Sequence, residues 1–379
     1  MLPEGPRLRV AYLAVESTRQ GHAAYAHVHE IVGNLRRLQV DVDLFEPPGG
    51  SEARRGVVAR VLEQLRTQAR LVARWHRYDA VYVRAHYSAF PTAVLARVTG
   101  RRIVQEVNGP FEDVFIAHPW TRSIGWLLSR VHRCQLAWAD ALIAVTPALQ
   151  AWLSRQIGRT DADVIPNGAN LELFSPRRTT ERRLPDVFVV FLGALTPWQG
   201  IDTLLAAAGH PDWPADVHLV ILGDGTLHDV VAAAAARLHH VHWLGRVPYS
   251  EVGGIVARAR AGVVPKNAQG NRQETGLFPL KLFEVLACGV PVVVTDFPGQ
   301  ADFVREHECG VVVAPESPAV LAAAVRDLTA APQAARAMGE RGREAVAGAH
   351  SWRHRAQETA RVLRRVTCHG ATAASHVAS

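Results

Sequence analysis

Lysine is nearly absent from this chain: of its 42 basic residues only Lys266 and Lys281 are lysines, leaving 40 arginines. Lys281 sits in "GLFPLKLFEVLACGVPVVVTD", Gly276 to Asp296, where a loop bounded by Gly and Pro runs into a helical stretch and then an apolar strand. The first turn of a helix presents unbonded backbone N–H groups and the positive end of the dipole to an anion. That dipole contributes only ~0.3–2 kcal/mol, so a tight grip needs a side-chain cation, and Lys281 is in the first turn. Pro279 suits a first helical position, because the N–H it lacks would be orphaned there anyway. Glu284, one turn later, can stay ionised and accept two hydrogen bonds. The same i, i+3 spacing also describes a solvated surface pair worth about 0.2–0.5 kcal/mol. Spacing alone favours the surface pair; the unit does lie between the apolar runs "AGVVPKN" and "PVVVTD", where an anion site would be placed.

Other residues fall at turns where chemistry is usually done. Gly21 and His22 follow the first apolar run in "TRQGHAAYAHVHE", and His22, His27 and His29 lack the spacing of a metal pair. "QEVNGPF" offers Glu106, an acid able to deprotonate a hydroxyl, two residues before Asn108; an Asn–Gly turn with an exposed glutamate is the plainer alternative. Arg84 and His86 end "VYVRAH" and would suit an anionic partner or a neighbouring acid. The "DVD" of Asp41 to Asp43 lies inside a strand and is not read as a metal site. "GDG" at Gly223 to Gly225 is a strand-end turn, since no GxxxxGK[ST] motif exists.

The elements that must position these residues recur along the whole chain. "RLRVAYLAV", "VDVDLFE", "YDAVYVRA", "RRIVQEVNG" and "DALIAVTP" read as strands of a first half. "VFVVFLGAL", "VHLVILGDG", "VHWLGRV", "AGVVPKN", "PVVVTD" and "GVVVAP" read as strands of a second. Helical stretches separate them, which implies parallel sheets covered on both faces. The fold class is therefore α/β, two tandem doubly wound parallel-sheet (Rossmann-like) domains. The boundaries expected are 1–175 and 176–350, with a charged linker over Asn170 to Asp186, a C-terminal helix at 351–366 and a disordered tail at 367–379. Ligands of such sheets bind beyond the carboxyl ends of the strands, here expected in an inter-domain cleft.

Composition sets the outer limits. A net charge of +7 comes from arginines spread over the whole length, which favours anionic ligands or surfaces without the concentrated patch of a nucleic-acid binder. Cys134, Cys288, Cys309 and Cys368 lie far apart, with no CxxC pair, as expected of free thiols in a reducing, cytoplasmic compartment. No apolar stretch is long enough for a membrane span. The arginine-rich segment 53–77 carries Val58, Val61, Leu62, Leu65, Ala69 and Val72 at helical spacing; it could lie on an anionic membrane surface or pack on its own sheet.

"FPLKLFEVLACGVPVVVTD" resembles the donor-site signature of the family 4 retaining glycosyltransferases, which have the GT-B fold. "VIPNGANLELFSP", "FLGALTPWQGIDTLLAA", "ILGDGTL" and "HWLGRVPYSEV" match in the same order. The resemblance implies transfer of a sugar from a nucleotide sugar, UDP- or GDP-linked, to an acceptor hydroxyl, with retention of configuration and no obligatory metal. It gives Glu284 the ribose hydroxyls and Lys281 the diphosphate, with Gly276, Phe278 and Leu280 in the same donor loop. Gly21 would approach the diphosphate through its backbone, and Gly193 and Gln199 belong to the second domain's first loop. Arg246 and Val247 would contact the base. His22, Glu106 and Asn108 join Lys281 as catalytic candidates, Asn108 standing where the family commonly has a histidine facing the donor sugar. The pattern also departs from the family. Gly276 replaces the first of two glutamates, leaving Glu274, two residues early, as the catalytic candidate to supply its sugar contact, and Ala194 and Gln199 replace an arginine and a lysine. Lys266, Lys281 and Arg246 are the cations left to compensate. The acceptor class stays open among a lipid-linked glycan, a polysaccharide and a small metabolite. A nucleotide-sugar epimerase or hydrolase of this fold, or a catalytically weak donor-binding partner, remains an alternative.

Overall fold

In the computed structural model, which describes residues 7–16, 18, 23–48, 56–117, 119–268 and 272–375, every apolar run named above forms a parallel strand. The chain divides into two units: residues 1–19, 27–166 and 353–379 make the first, and residues 20–26 and 167–352 the second. Gly21 and His22 lie outside the described residues.

The first unit contains β1 (Arg9–Leu13), β2 (Asp41–Phe45), β3 (Ala80–Arg84), β4 (Arg102–Val107), β5 (Ala141–Ala144) and β6 (Asp163–Val164). Their order across the sheet is β2-β1-β3-β4-β5-β6, so the direction of winding reverses between β1 and β3. β6 was not anticipated: two residues in a polar context, "DADV", carry no periodicity to read. The second unit contains β7 (Phe188–Leu192), β8 (His218–Leu222), β9 (Val241–Trp243), β10 (Ala261–Val264), β11 (Val292–Thr295) and β12 (Gly310–Val313). Its order is β12-β11-β10-β7-β8-β9, reversing between β10 and β7. Strands covered on both faces lose the alternation of a half-exposed strand, which is why Phe188 to Leu192 reads as an unbroken apolar run and is buried throughout.

Local chemistry closes the connecting helices. In the Pro147–Ile157 helix, Thr146 accepts from the Leu149 amide at 2.9 Å, Pro147 opens the first turn, and Gly158 ends it with φ +72°. Two expectations are corrected. The segment Asn170 to Asp186 is no free linker: Asn170 Oδ1 caps the amides of Glu172 and Leu173, Phe174 is fully buried in the second unit's core, and Arg182 pairs with Glu251 at 2.7 Å. The last helix is Trp352–Ser375, so it runs through residues 367–375 of the expected tail. From Arg353 onward it belongs to the first unit, where Arg355 Nη1 donates to the carbonyls of Ile165 (2.5 Å) and Pro166 (2.8 Å).

Candidate functional site

In a doubly wound sheet the loops that follow the two strands flanking the winding reversal are splayed apart, leaving room for a ligand. In the second unit those strands are β7 and β10, and their carboxyl-end loops bring together Gly193, Gln199 and Lys266. The Leu280–Ala287 helix delivers Lys281 and Glu284 to the same place. Pro279 is the N-cap, with extended backbone, rather than the first helical residue, so Leu280 opens the helix. Asn167 Nδ2 donates to the Phe278 carbonyl at 2.8 Å and fixes the loop just before it.

Both lysines are buried, at 5% and 7% exposure. Lys281 Nζ donates to Gln199 Oε1 at 3.0 Å and lies 3.8 Å from the centre of the Phe191 ring. Burial holds the Lys281 ammonium well below the ordinary lysine pKa; the charge of Lys266 adds to this and Glu284 opposes it. Lys266 and Lys281 thus lie close enough for one charge to act on the other, with Glu284 acting in the opposite sense. The glycines shape the site. Gly193 has φ +133°, and a Cβ there would sit 2.9 Å from Lys281 Nζ. At Gly200 (φ +75°) a Cβ would overlap the Pro265 carbonyl, so the β7 and β10 loops touch backbone to backbone. Gly193→Ala is accordingly expected to leave the protein folded but to weaken ligand binding at Lys281 by at least about tenfold, because the methyl and the left-handed strain both displace the ammonium. Titration calorimetry of the variant checks this.

Gly276 has φ +66°, a left-handed backbone in which a glutamate is strained. Glu274 is exposed on the short Arg272–Thr275 helix. The side chain of Phe278 turns away into the aromatic packing of Phe283, Phe303 and His350, and Val247 is buried in the core, so each can meet a ligand chiefly through its backbone. Arg246 Nε is held at 3.2 Å by Asp224, whose carboxyl is kept below its usual range first by a hydrogen bond from His228.

The first unit contains the larger correction. Glu106, expected as a base or as an exposed turn residue, is fully enclosed. His27 Nε2 (2.5 Å), Asn108 Nδ2 (2.6 Å), Arg355 (3.0 Å) and the Tyr82 hydroxyl all address its two oxygens. Burial alone would raise its pKa, but the charges of His27 and Arg355 and the hydrogen bonds leave it well below the carboxylate range. An acid without surface and with its lone pairs taken cannot collect a proton from a ligand. Asn108 has its amide committed to the same carboxylate. What does gather where the first sheet reverses, after β1 and β3, is a group that sequence reading only half found: Arg84 Nη1 lies 2.9 Å and His86 Nε2 3.7 Å from the Glu16 carboxylate. Glu16, directly after "AYLAV", was the missed member; its position past a strand end was the available signal. Among the described residues no group of His, Cys, Asp and Glu has the arrangement to hold a metal, and no helix is long and apolar enough to cross a membrane.

Comparison with known proteins bears on these geometries. Residues 176–345 match the family model for glycosyl transferases group 1, and residues 24–173 match that for glycosyltransferase family 4. The chain is 27% identical over 298 residues to the GDP-mannose-dependent alpha-(1-6)-phosphatidylinositol monomannoside mannosyltransferase of Mycolicibacterium smegmatis, covering 73% of this chain and 74% of the relative. It superposes on sucrose-phosphate synthase from Thermosynechococcus elongatus with a TM-score of 0.78 at 20% identity, over 96% of this chain and all of the other. Anabaena HepE in complex with UDP and glucose gives 0.71 at 19% identity, over 94% of this chain and 100% of that one.

Proposed function

Because this chain belongs to the family 4 glycosyltransferases with GT-B architecture, we propose that it moves a hexosyl unit from a nucleoside-diphosphate sugar to an acceptor hydroxyl with retention of anomeric configuration. The second unit binds the donor and the first the acceptor. Lys281, Lys266 and the open N–H groups of the Leu280–Ala287 helix hold the diphosphate, and Glu284 accepts from the ribose hydroxyls. One observation carries this reading. The only two lysines of the chain are both buried at the strand-order reversal, Lys281 against Gly193 and within reach of the charge of Lys266, which helps hold its pKa down. That is a costly arrangement for the empty protein and a favourable one once an anion arrives.

The family's arginine and lysine are replaced at Ala194 and Gln199, and the geometry supports a relocated cation: Gln199 orients the Lys281 ammonium rather than contributing charge. The bond between the anomeric carbon and the phosphate oxygen breaks as the acceptor oxygen attacks the same face. The hydroxyl proton leaves on the departing phosphate oxygen, a route that does not require Glu106. Gly193 lets the leaving group approach the ammonium closely. Glu16, Arg84 and His86 are the acceptor-side groups of this scheme.

The test is a thermal-shift panel of UDP, GDP, UDP-glucose and GDP-mannose, since HepE is seen with UDP and the mycobacterial relative is named for GDP-mannose. A ligand at a hundred times its Kd adds about 2.7 kcal/mol of stability. No shift with any nucleotide, or an undiminished shift in Glu284→Ala, sinks the site. The pH dependence follows from the sign at Lys281. Its pKa is depressed in the free protein and restored by a bound diphosphate, so above the depressed value binding takes up a proton. Affinity is then expected to be full below that value and to fall as pH rises through it. Calorimetry in two buffers of different ionisation enthalpy measures the proton uptake directly.

A further inference from the structure

A surface helix ordinarily buries its apolar stripe and shows water its polar face. The Val57–Val72 helix does the reverse over most of its length. The residues it buries are Thr67, Gln68 and Leu71, with Gln68 bonded to the Ser88 carbonyl and to Thr92. Val58, Val61, Leu62 and Leu65 face outward, Val58 at 74% exposure. The packing on its own sheet that the sequence allowed is therefore not where the apolar stripe goes.

This stripe is not isolated. Among the described residues, all the exposed large hydrophobics except Val230 and Val320 lie between residues 57 and 138 of the first unit. Trp120 (56%) and Trp126 (72%) stand out in the turn and helix that follow β4. The connections β2→β3, β3→β4 and β4→β5 all step the same way across the sheet, so right-handed crossovers put their helices on one face. The Val57–Val72 helix packs on Phe90–Thr99, which packs on Gly125–Ala137. On these helices and the Pro119–Ile124 turn the only acid is Glu63, against exposed arginines that include Arg66, Arg122 and Arg130.

We infer that this face docks on an anionic lipid surface, with the Val58–Leu65 stripe and the two tryptophans entering the interface and the arginines meeting the headgroups. Charge selects the occupant. Apposing this face with a second copy of itself would set arginine against arginine, whereas anionic headgroups complement it. Exposed tryptophan beside basic side chains is the composition that settles at a membrane–water interface. Both parts of the patch begin at the carboxyl edge of the first sheet, the edge that carries Glu16, Arg84 and His86, so docking brings that edge to the lipid. The inference is independent of the donor site and needs no nucleotide to test.

The experiment is co-sedimentation of the full chain with phosphatidylcholine vesicles, with and without phosphatidylglycerol. Binding is expected only with phosphatidylglycerol, weakening as salt is added. Val58→Ser/Leu62→Ser and Arg66→Gln/Arg122→Gln/Arg130→Gln are each expected to cut partitioning by at least about tenfold while leaving the melting temperature in solution unchanged, because all five side chains touch water. Three results overturn the proposal. The parent chain stays in the supernatant with both vesicle types; the variants bind as the parent does; or size-exclusion with light scattering finds a dimer that these substitutions split, which assigns the face to a second copy.

Discussion

Lys281→Met is expected to melt higher than the parent protein and, on the function proposed above, to bind nucleotide poorly. The ammonium is buried, its hydration is gone, and Lys266 repels it, so the folded chain prefers it neutral. A lysine whose folded pKa lies below its unfolded value costs stability at every pH below the unfolded value, and methionine of similar length removes that cost. A gain of about 1–2 kcal/mol is the scale for replacing a buried charge by a well-packed apolar side chain. Function moves the other way. Deleting a preorganised charge at a leaving group raises the barrier by about 2.7–4 kcal/mol, a loss of roughly a hundred- to a thousandfold in kcat. Thermal unfolding and calorimetric titration with UDP and GDP measure the two effects on one preparation. Should the variant bind as tightly as the parent, the anion is held elsewhere; should it bind poorly and also melt lower, Lys281 is structural. The trade of stability for activity is what marks a functional group.

Arg355→Met is expected to do the opposite, removing stability without bearing on chemistry. Arg355 is almost fully buried, 3.0 Å from Glu106, and donates to the carbonyls of Ile165 and Pro166. Without it an anion with a strongly lowered pKa remains in the core opposite a His27 whose own pKa burial lowers. Removing one partner of such a pair costs about 3–5 kcal/mol, which lowers the melting temperature by roughly 10 °C. The companion Arg355→Met/Glu106→Gln should recover much of the loss, because no uncompensated charge is left. Because the Glu106 pKa is depressed, its contribution is present above the ordinary carboxylate range and disappears only as pH falls through the lowered value. The folded fraction of Glu106→Gln should keep most of its turnover. A native-like Glu106→Gln whose turnover falls by about a hundredfold or more would restore the role of general base.

The two glutamates show where sequence reading reached and where it stopped. The placement of Glu284 in the first turns of a helix was legible because its context is local. Loop, helix start and strand lie within 21 residues, and a lysine three positions earlier in a chain nearly without lysine marks the turn. Glu106 was not, because its meaning is supplied by His27, Tyr82 and Arg355, which are 79, 24 and 249 residues away. No period or spacing encodes such a meeting. The same holds for Gly276. The absence of a carboxylate there was visible in the sequence, but the left-handed backbone at φ +66° appears only once the loop is closed. The arginine-rich helix is a third case: periodicity revealed an apolar stripe but not which way it faces.

By itself the sequence determined the two parallel sheets, since strands buried on both faces must be apolar throughout and helices must separate them. It also determined the helix start at Pro279 and Leu280 that the proposed donor site uses, whose parts are neighbours along the chain. The tertiary structure alone decided which charged groups are spent on holding the first unit together and which stay available. It also decided that the stripe on the Val57–Val72 helix points to solvent. Burial and pairing are set by residues far apart in sequence, and a side chain's charge becomes cost, support or function only when those partners arrive.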